Sequence, residues 1–155
     1  MDASYVANNL GVLLIDCWEP PSWKPWVHQL YYNILEAVQY YRPVCVVDAS
    51  YGDATKSEFL QPYVTHRTTE LETFLSLTDE LLINTWVCMG RDWQVCVHYR
   101  PLGLGALSKT DLKVVCPVGC ISKTNGTFVN ADDFDKDHLR WAKRNDREYQ
   151  LVGTK

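Results

Sequence analysis

Short, uninterrupted apolar runs recur along this chain, each closed by a polar or glycine position. They are residues 12–15 (VLLI) before Asp16, 44–47 (VCVV) before Asp48, 81–89 before Gly90, and 112–116 (LKVVC). Runs of this length without polar alternation mark strands buried on both faces. Between them the period changes to three and four. Val27, Leu30, Tyr31, Ile34, Leu35, Val38 and Tyr41 form one apolar face of an amphipathic helix. It begins near Ser22, carries Pro25 in its first turn and is ended by Pro43. Thr69 and Glu72 have capping-box spacing and open a helix through Leu71, Phe74, Leu75 and Leu77.

Residues 92–107 are expected to be mostly helical but irregular, because Pro101, Gly103 and Gly105 interrupt them. Residues 132–144 predict a polar helix anchored by Phe134, Leu139 and Trp141, and 149–152 a last edge strand. The stretch 49–57 reads as a polar loop with Gly52 and Asp53, and 117–130 as a loop with Gly119 and an Asn125-Gly126 turn. Two assignments fit 59–64: an edge strand interrupted by Pro62, or a covering loop.

Strands alternating with helices imply an α/β fold: three layers, with a mostly parallel, doubly wound sheet and helices on both faces. Residues 1–155 contain no internal repeat or composition break and are expected to form a single domain. In such sheets ligands bind at the carboxyl ends of strands where the strand order reverses. With the common doubly wound order, the 12–15 strand lies beside the 81–89 strand, which brings Asp16 and Cys96 together.

Composition narrows the partners. With 46% hydrophobic and 22% charged residues, the chain reads as soluble. No apolar run approaches the roughly 18 residues of a membrane span, so no membrane partner is expected. The opening MDASYVANNL lacks a basic region followed by an apolar one, which predicts a cytoplasmic, reducing setting. The six cysteines are then thiols, and Cys45, Cys88 and Cys116 sit in Val-rich runs as small core residues. No C-x-x-C pair occurs, and Cys116 and Cys120 lack a second ligand pair, so neither metal nor cofactor is expected. A formal net charge of −4 argues against nucleic acid. The basic stretch 140–144 is flanked by acids, as on a solvated helix face.

Two residues stand out as candidate chemistry. Asp16 closes the first strand, and Cys96 follows Gly90 where a strand, turn and helix place a thiol near exposed N–H groups. Taken singly, a strand-end Asp is more often a cap and a Cys in an apolar run more often core. Their joint placement on one sheet edge raises both. Trp18, Trp23 and Trp26 could line a pocket, although such clusters more often serve packing or an oligomer interface. His98 lies two residues after Cys96, so on a helix it points away from the thiol, and His66 is the other candidate for a Cys-His pair.

Several pieces, in order along most of the chain, resemble the isochorismatase-like cysteine hydrolases, which include nicotinamidases. They are GVLLIDCW around Asp16, PVCVVDAS, TTELETFL, and the strand leading to Gly90 with Cys96-Val97. The resemblance implies a Rossmann-like domain in which Cys96 is the nucleophile and Asp16 the general base and acid, with a Lys depressing the thiol pKa. It also implies a small-molecule amide or acyl substrate and a homo-oligomer. Counting back from Thr69 to the family's Lys position lands near Leu60; Lys56 is the nearest substitute, and Arg67 or Arg91 are other candidate cations. Residues 48–53 lack the His of the nicotinamidase metal cluster. Trp93 stands where the family has a small hydroxyl residue, and Arg100-Pro101 replaces its Thr-Ala. Trp18, Trp93, Arg91 and Asp92 are the expected binding residues. The alternatives are an inactive binding or oligomeric scaffold of the same type, and a flavodoxin-like or nucleotide-binding module. The last would need a phosphate loop where the chain has Cys17 to Pro21.

Overall fold

The computed structural model describes residues 9–18, 25–51, 58–138, 142–144 and 148–151. In chain order the elements are β1 (Leu10–Ile15), α1 (Pro25–Tyr41), β2 (Cys45–Asp48), a 3-10 turn (Gln61–Tyr63), β3 (His66–Arg67), α2 (Leu71–Glu80), β4 (Thr85–Gly90), a π-helical turn (Trp93–Val97), α3 (Leu104–Leu107), β5 (Lys113–Pro117), α4 (Ala131–His138), β6 (Ala142–Arg144) and β7 (Glu148–Leu151). The strands form one sheet in the order β3-β2-β1-β4-β5-β7-β6. The pairings from β3 across to β5 are parallel. β7 is antiparallel to β5, and β6 to β7. The chain therefore runs outward from β1 to one edge, returns, and continues from β4 toward the other, so the order reverses between β1 and β4.

Alternation along β1 and β4 divides the core in two. Val12, Leu14, Val87 and Met89 pack with Val27, Leu30, Ile34 and Val38 of α1. Leu13, Ile15, Trp86 and Cys88 pack on the opposite face with Phe74 of α2, Trp93, Leu104 of α3 and Phe134 of α4. The 3.6-residue spacing of α1 buries Val27, Leu30, Tyr31, Ile34 and Val38, each worth about 1.5–3 kcal/mol on transfer from water. The helix stops where expected: Arg42 turns to φ 48 and Pro43 cannot continue it.

Trp86 fixes the second core. Its ring lies across Gly11 of β1, where a Cβ would stand 2.5 Å from the indole. It contacts Phe74 at 4.2 Å between ring centroids. Its Nε1 donates to Thr78 Oγ1 at 3.0 Å, and that hydroxyl donates onward to the Phe74 carbonyl.

Some expectations need correction. The Thr69–Glu72 capping box does not form: Glu70 is the N-cap of α2, without a side-chain cap, and Thr68 Oγ1 instead accepts from the Glu70 N–H. Residues 59–64 are a turn and 3-10 helix, and the edge strand is the short β3 beyond them. The expected 92–107 helix is a π-helical turn and the four-residue α3. The helix expected over 132–144 ends at His138, because Ala142–Arg144 pairs with β7 as an edge strand. Pairing to β5 and β6 places β7 inside the sheet rather than at its edge. Ser22, Trp23, Leu139 and Trp141 lie outside the described residues.

Thr78→Val, which keeps shape but leaves the buried Trp86 N–H without its acceptor, is expected to cost about 1–3 kcal/mol. A lower urea midpoint with unchanged slope reports it, and Thr78→Ser restores most of the loss. Buried thiols add a pH dependence. Burial pushes Cys45 up to about 11, and burial together with Glu36 pushes Cys120 up to about 12. Because these native values lie above the unfolded one near 8.5, their stabilisation is complete below that pH and lost as pH rises through the native values. Urea midpoints are expected to fall progressively above about pH 8.5.

Candidate active site

β1 and β4 end level with each other, Ile15 opposite Gly90. The chain there is tight enough to require glycine. Gly90 has φ 138, and a Cβ on it would lie 2.1 Å from the Ile15 carbonyl oxygen. The turn that follows is pinned on both sides. Arg91 N–H donates to Ile15 O at 3.0 Å and Trp93 N–H to Ser122 O at 2.9 Å. The N–H groups of Val95 and Val97 both donate to the Asp92 carbonyl at 3.1 Å, closing the π-helical turn that carries Cys96.

On the β1 side, Asp16 takes a left-handed conformation (φ 48), which Asp tolerates better than most side chains. Its carboxylate is 0% exposed, so each oxygen needs a donor. Oδ1 accepts from the Tyr51 N–H at 2.8 Å, and Oδ2 from Arg100 Nε at 2.8 Å. The Cys96 thiol lies beside this pair, close enough for Asp16 and Arg100 each to move its pKa. One thiol, one carboxylate and one guanidinium thus share a site that is almost closed, with Cys96 7% exposed.

Beneath Asp16 lies a second buried carboxylate, Asp48 at the end of β2. It accepts from the Ser50 N–H and hydroxyl and from Gln61 Nε2. Ser50 Oγ in turn accepts the Cys17 N–H at 3.1 Å. Asp48 therefore shapes the loop that delivers the Tyr51 N–H to Asp16.

Burial is the largest influence on Cys96 and raises its pKa above the ordinary thiol value, with the Asp16 hydrogen bond adding to the rise. The Asp92 backbone N–H and the Arg100 charge pull it down only in part. The resting group is a thiol beside a carboxylate. For Arg100, desolvation opposes the charge, but the hydrogen bond and charge of Asp16 outweigh it and hold the guanidinium protonated.

The expected site residues are distributed unevenly. Asp16 and Cys96 meet. Arg100, which lies one helical turn after Cys96, is the cation paired with Asp16; its i, i+4 spacing to Cys96 was the signal that could have found it. Arg67 is bonded to Gln61 at the edge of the sheet. Arg91 turns toward α1, with its guanidinium 5.2 Å from the Trp26 ring centre. Lys56 lies outside the described residues.

Trp93 does not line the site: it is 0% exposed and packs on Phe134 and His98 in the core. Trp18 and Tyr51 flank the Arg100 guanidinium at 5.9 and 4.8 Å. Asp92 contributes through its backbone. Among the described residues, no three His, Cys, Asp or Glu side chains converge as metal ligands, and no helix is long and apolar enough to cross a membrane. Comparison with models of protein families, with curated proteins and with solved structures gives no match.

Alkylation of Cys96 by iodoacetamide, followed by peptide mass spectrometry, is expected to keep accelerating above pH 9. Arg100→Gln should move that rise to higher pH, since Arg100 is one of the two groups that lower the thiol pKa.

Proposed function

We propose that the chain is a small cysteine hydrolase of the isochorismatase-like type, with a Rossmann-like domain, acting on a small amide or related acyl substrate. Contact of the Cys96 thiol with a buried, Arg100-paired Asp16, at the point where the strand order reverses, is the observation that carries it. That combination fits an acyl-transfer role better than a packing role, because burying a carboxylate beside a thiol costs stability that an apolar pair would not.

In the proposed reaction Cys96 Sγ attacks the substrate carbonyl carbon as its proton passes to Asp16. Collapse of the tetrahedral intermediate breaks the bond to the leaving group, which takes that proton from Asp16. Water then attacks the thioester, again giving a proton to Asp16, and the acid leaves as Sγ recovers it. Arg100 keeps its protons throughout, so its charge holds Asp16 in place rather than relaying a proton.

The near-complete burial of Cys96 favours a second reading, in which the same constellation persists in an inactive binding or oligomeric scaffold. Turnover separates the two. Incubation with a panel of small primary amides and activated acyl esters is expected to give hydrolysis that Cys96→Ser abolishes. Asp16→Asn should also abolish it while making Cys96 alkylate faster near neutral pH, since the carboxylate raises the thiol pKa. A protein that turns over none of the panel, with Cys96 alkylating no faster than the other five thiols, would favour the scaffold.

A further inference from the structure

Asn33, Glu36, Ala37, Tyr40 and Tyr41 recur at the three- and four-residue spacing of one helix face, and that face of α1 stands beside the end of β5 and the start of β7. Along β7 the pleat turns alternate side chains to opposite faces. Tyr149 enters the core against Phe134, so Glu148, paired with Pro117, faces the α1 side. Between helix and strand lies a cavity of about 430 Å³, within the size range of small-molecule sites. None of the residues lining it belongs to the group of Asp16, Cys96 and Arg100. We infer that this cavity is a binding site for a small organic ammonium ion, a role that does not depend on the acyl-transfer reading above.

Charge and shape both select a cation. The lining carries the carboxylates of Glu36 and Glu148 and no Lys, Arg or His. Glu36 has no ion-pair partner among the described residues. The Tyr41 hydroxyl donates to Glu148 Oε1 at 2.5 Å and ties that carboxylate to the cavity wall. Burial and this carboxylate push the Tyr41 phenol well above its ordinary value, and burial and Glu36 push the Cys120 thiol up to about 12. Both groups therefore stay protonated near neutral pH, and the two carboxylates set the sign of the cavity. Beside them the rings of Tyr40 and Tyr41 form an aromatic corner, 84° apart with centroids at 5.2 Å. Ring faces attract cations and pack against their methyl or methylene groups. A metal ion is the poorer fit, because it needs several ligands converging on one point. Among the described residues no three His, Cys, Asp or Glu side chains do so. An alkylammonium spreads its charge over a larger surface and is met by carboxylates on separate elements with rings between.

Titration of the nitrogen-15-labelled chain, followed by NMR, tests this with choline and with dimethylbutanol, its uncharged analogue with carbon in place of nitrogen. Choline is expected to shift the backbone amide signals of α1 residues 33–41 and of Glu148, and to bind at least about tenfold more tightly than the alcohol. Glu36→Gln and Tyr40→Leu change exposed side chains and leave the fold intact. Each is expected to weaken choline binding by about three- to tenfold. N-acetyl-lysine methylamide, titrated in parallel, separates the sources of the ammonium group: tighter binding than choline assigns it to a lysine side chain of a partner, weaker binding to a free amine. Cys96→Ser is expected to bind choline as the wild type does, whether or not the chain hydrolyses any amide. Equal affinity for choline and the alcohol, shifts confined to other parts of the chain, no binding of either ammonium, or unchanged affinity in both cavity variants overturns the inference.

Discussion

A carboxylate with no access to water sets the terms for the centre of this molecule. Removing Asp16 from solvent costs several kcal/mol unless its lone pairs are met, and the groups that meet them come from distant parts of the chain. Tyr51 arrives on the loop after β2, held by Asp48 and Ser50, and Arg100 on the turn after β4. Removing either donor would leave a charge stranded in the core. The loops after β2 and β4 thus owe their positions to one residue as much as to the sheet beneath them.

The sheet makes that convergence possible. β1 and β4 are both buried on two faces and run parallel in register, so the chain leaving each emerges at the same edge. Gly90 allows the two backbones to close together where a side chain would hold them apart. The backbone bonds from Arg91 and Trp93 then fix the direction of the turn that carries Cys96. Rigidity is supplied by main-chain geometry, and the side chains of Asp16, Cys96 and Arg100 meet on that frame.

How much of this can be read from residues alone depends on whether a local pattern decides it. The buried strands β1, β2, β4 and β5 and the amphipathic α1 are visible because apolar runs and a 3.6-residue period record what each element packs against. The meeting of Asp16 with Cys96 follows once the strand order is assumed. The capping box at Thr69 has the right residues, but Thr68 engages the backbone instead, a competition that spacing does not reveal. The polar stretch after α4 becomes strand β6 because β7 offers it an edge, a tertiary effect that local propensity cannot anticipate. Arg100 was visible only as a departure from a resembling pattern. Its role depends on a helical offset from Cys96 in a segment whose Pro and Gly content obscured its helical turns.

The two strands at the middle of the sheet are far apart in sequence, and the ion pair between Asp16 and Arg100 spans 84 positions. Local closure can form α1 against β1 and β2 early, but the centre of the sheet must wait for a loop that encloses nearly half the chain. Large sequence separation slows folding, since loop entropy is lost before the contacts repay it. Until β4 docks, β1 has an unpaired edge and Asp16 has no counter-ion. Assembly of the site therefore depends on that closure, and the thiol of Cys96 gains its carboxylate neighbour only in a molecule whose central strands have already closed.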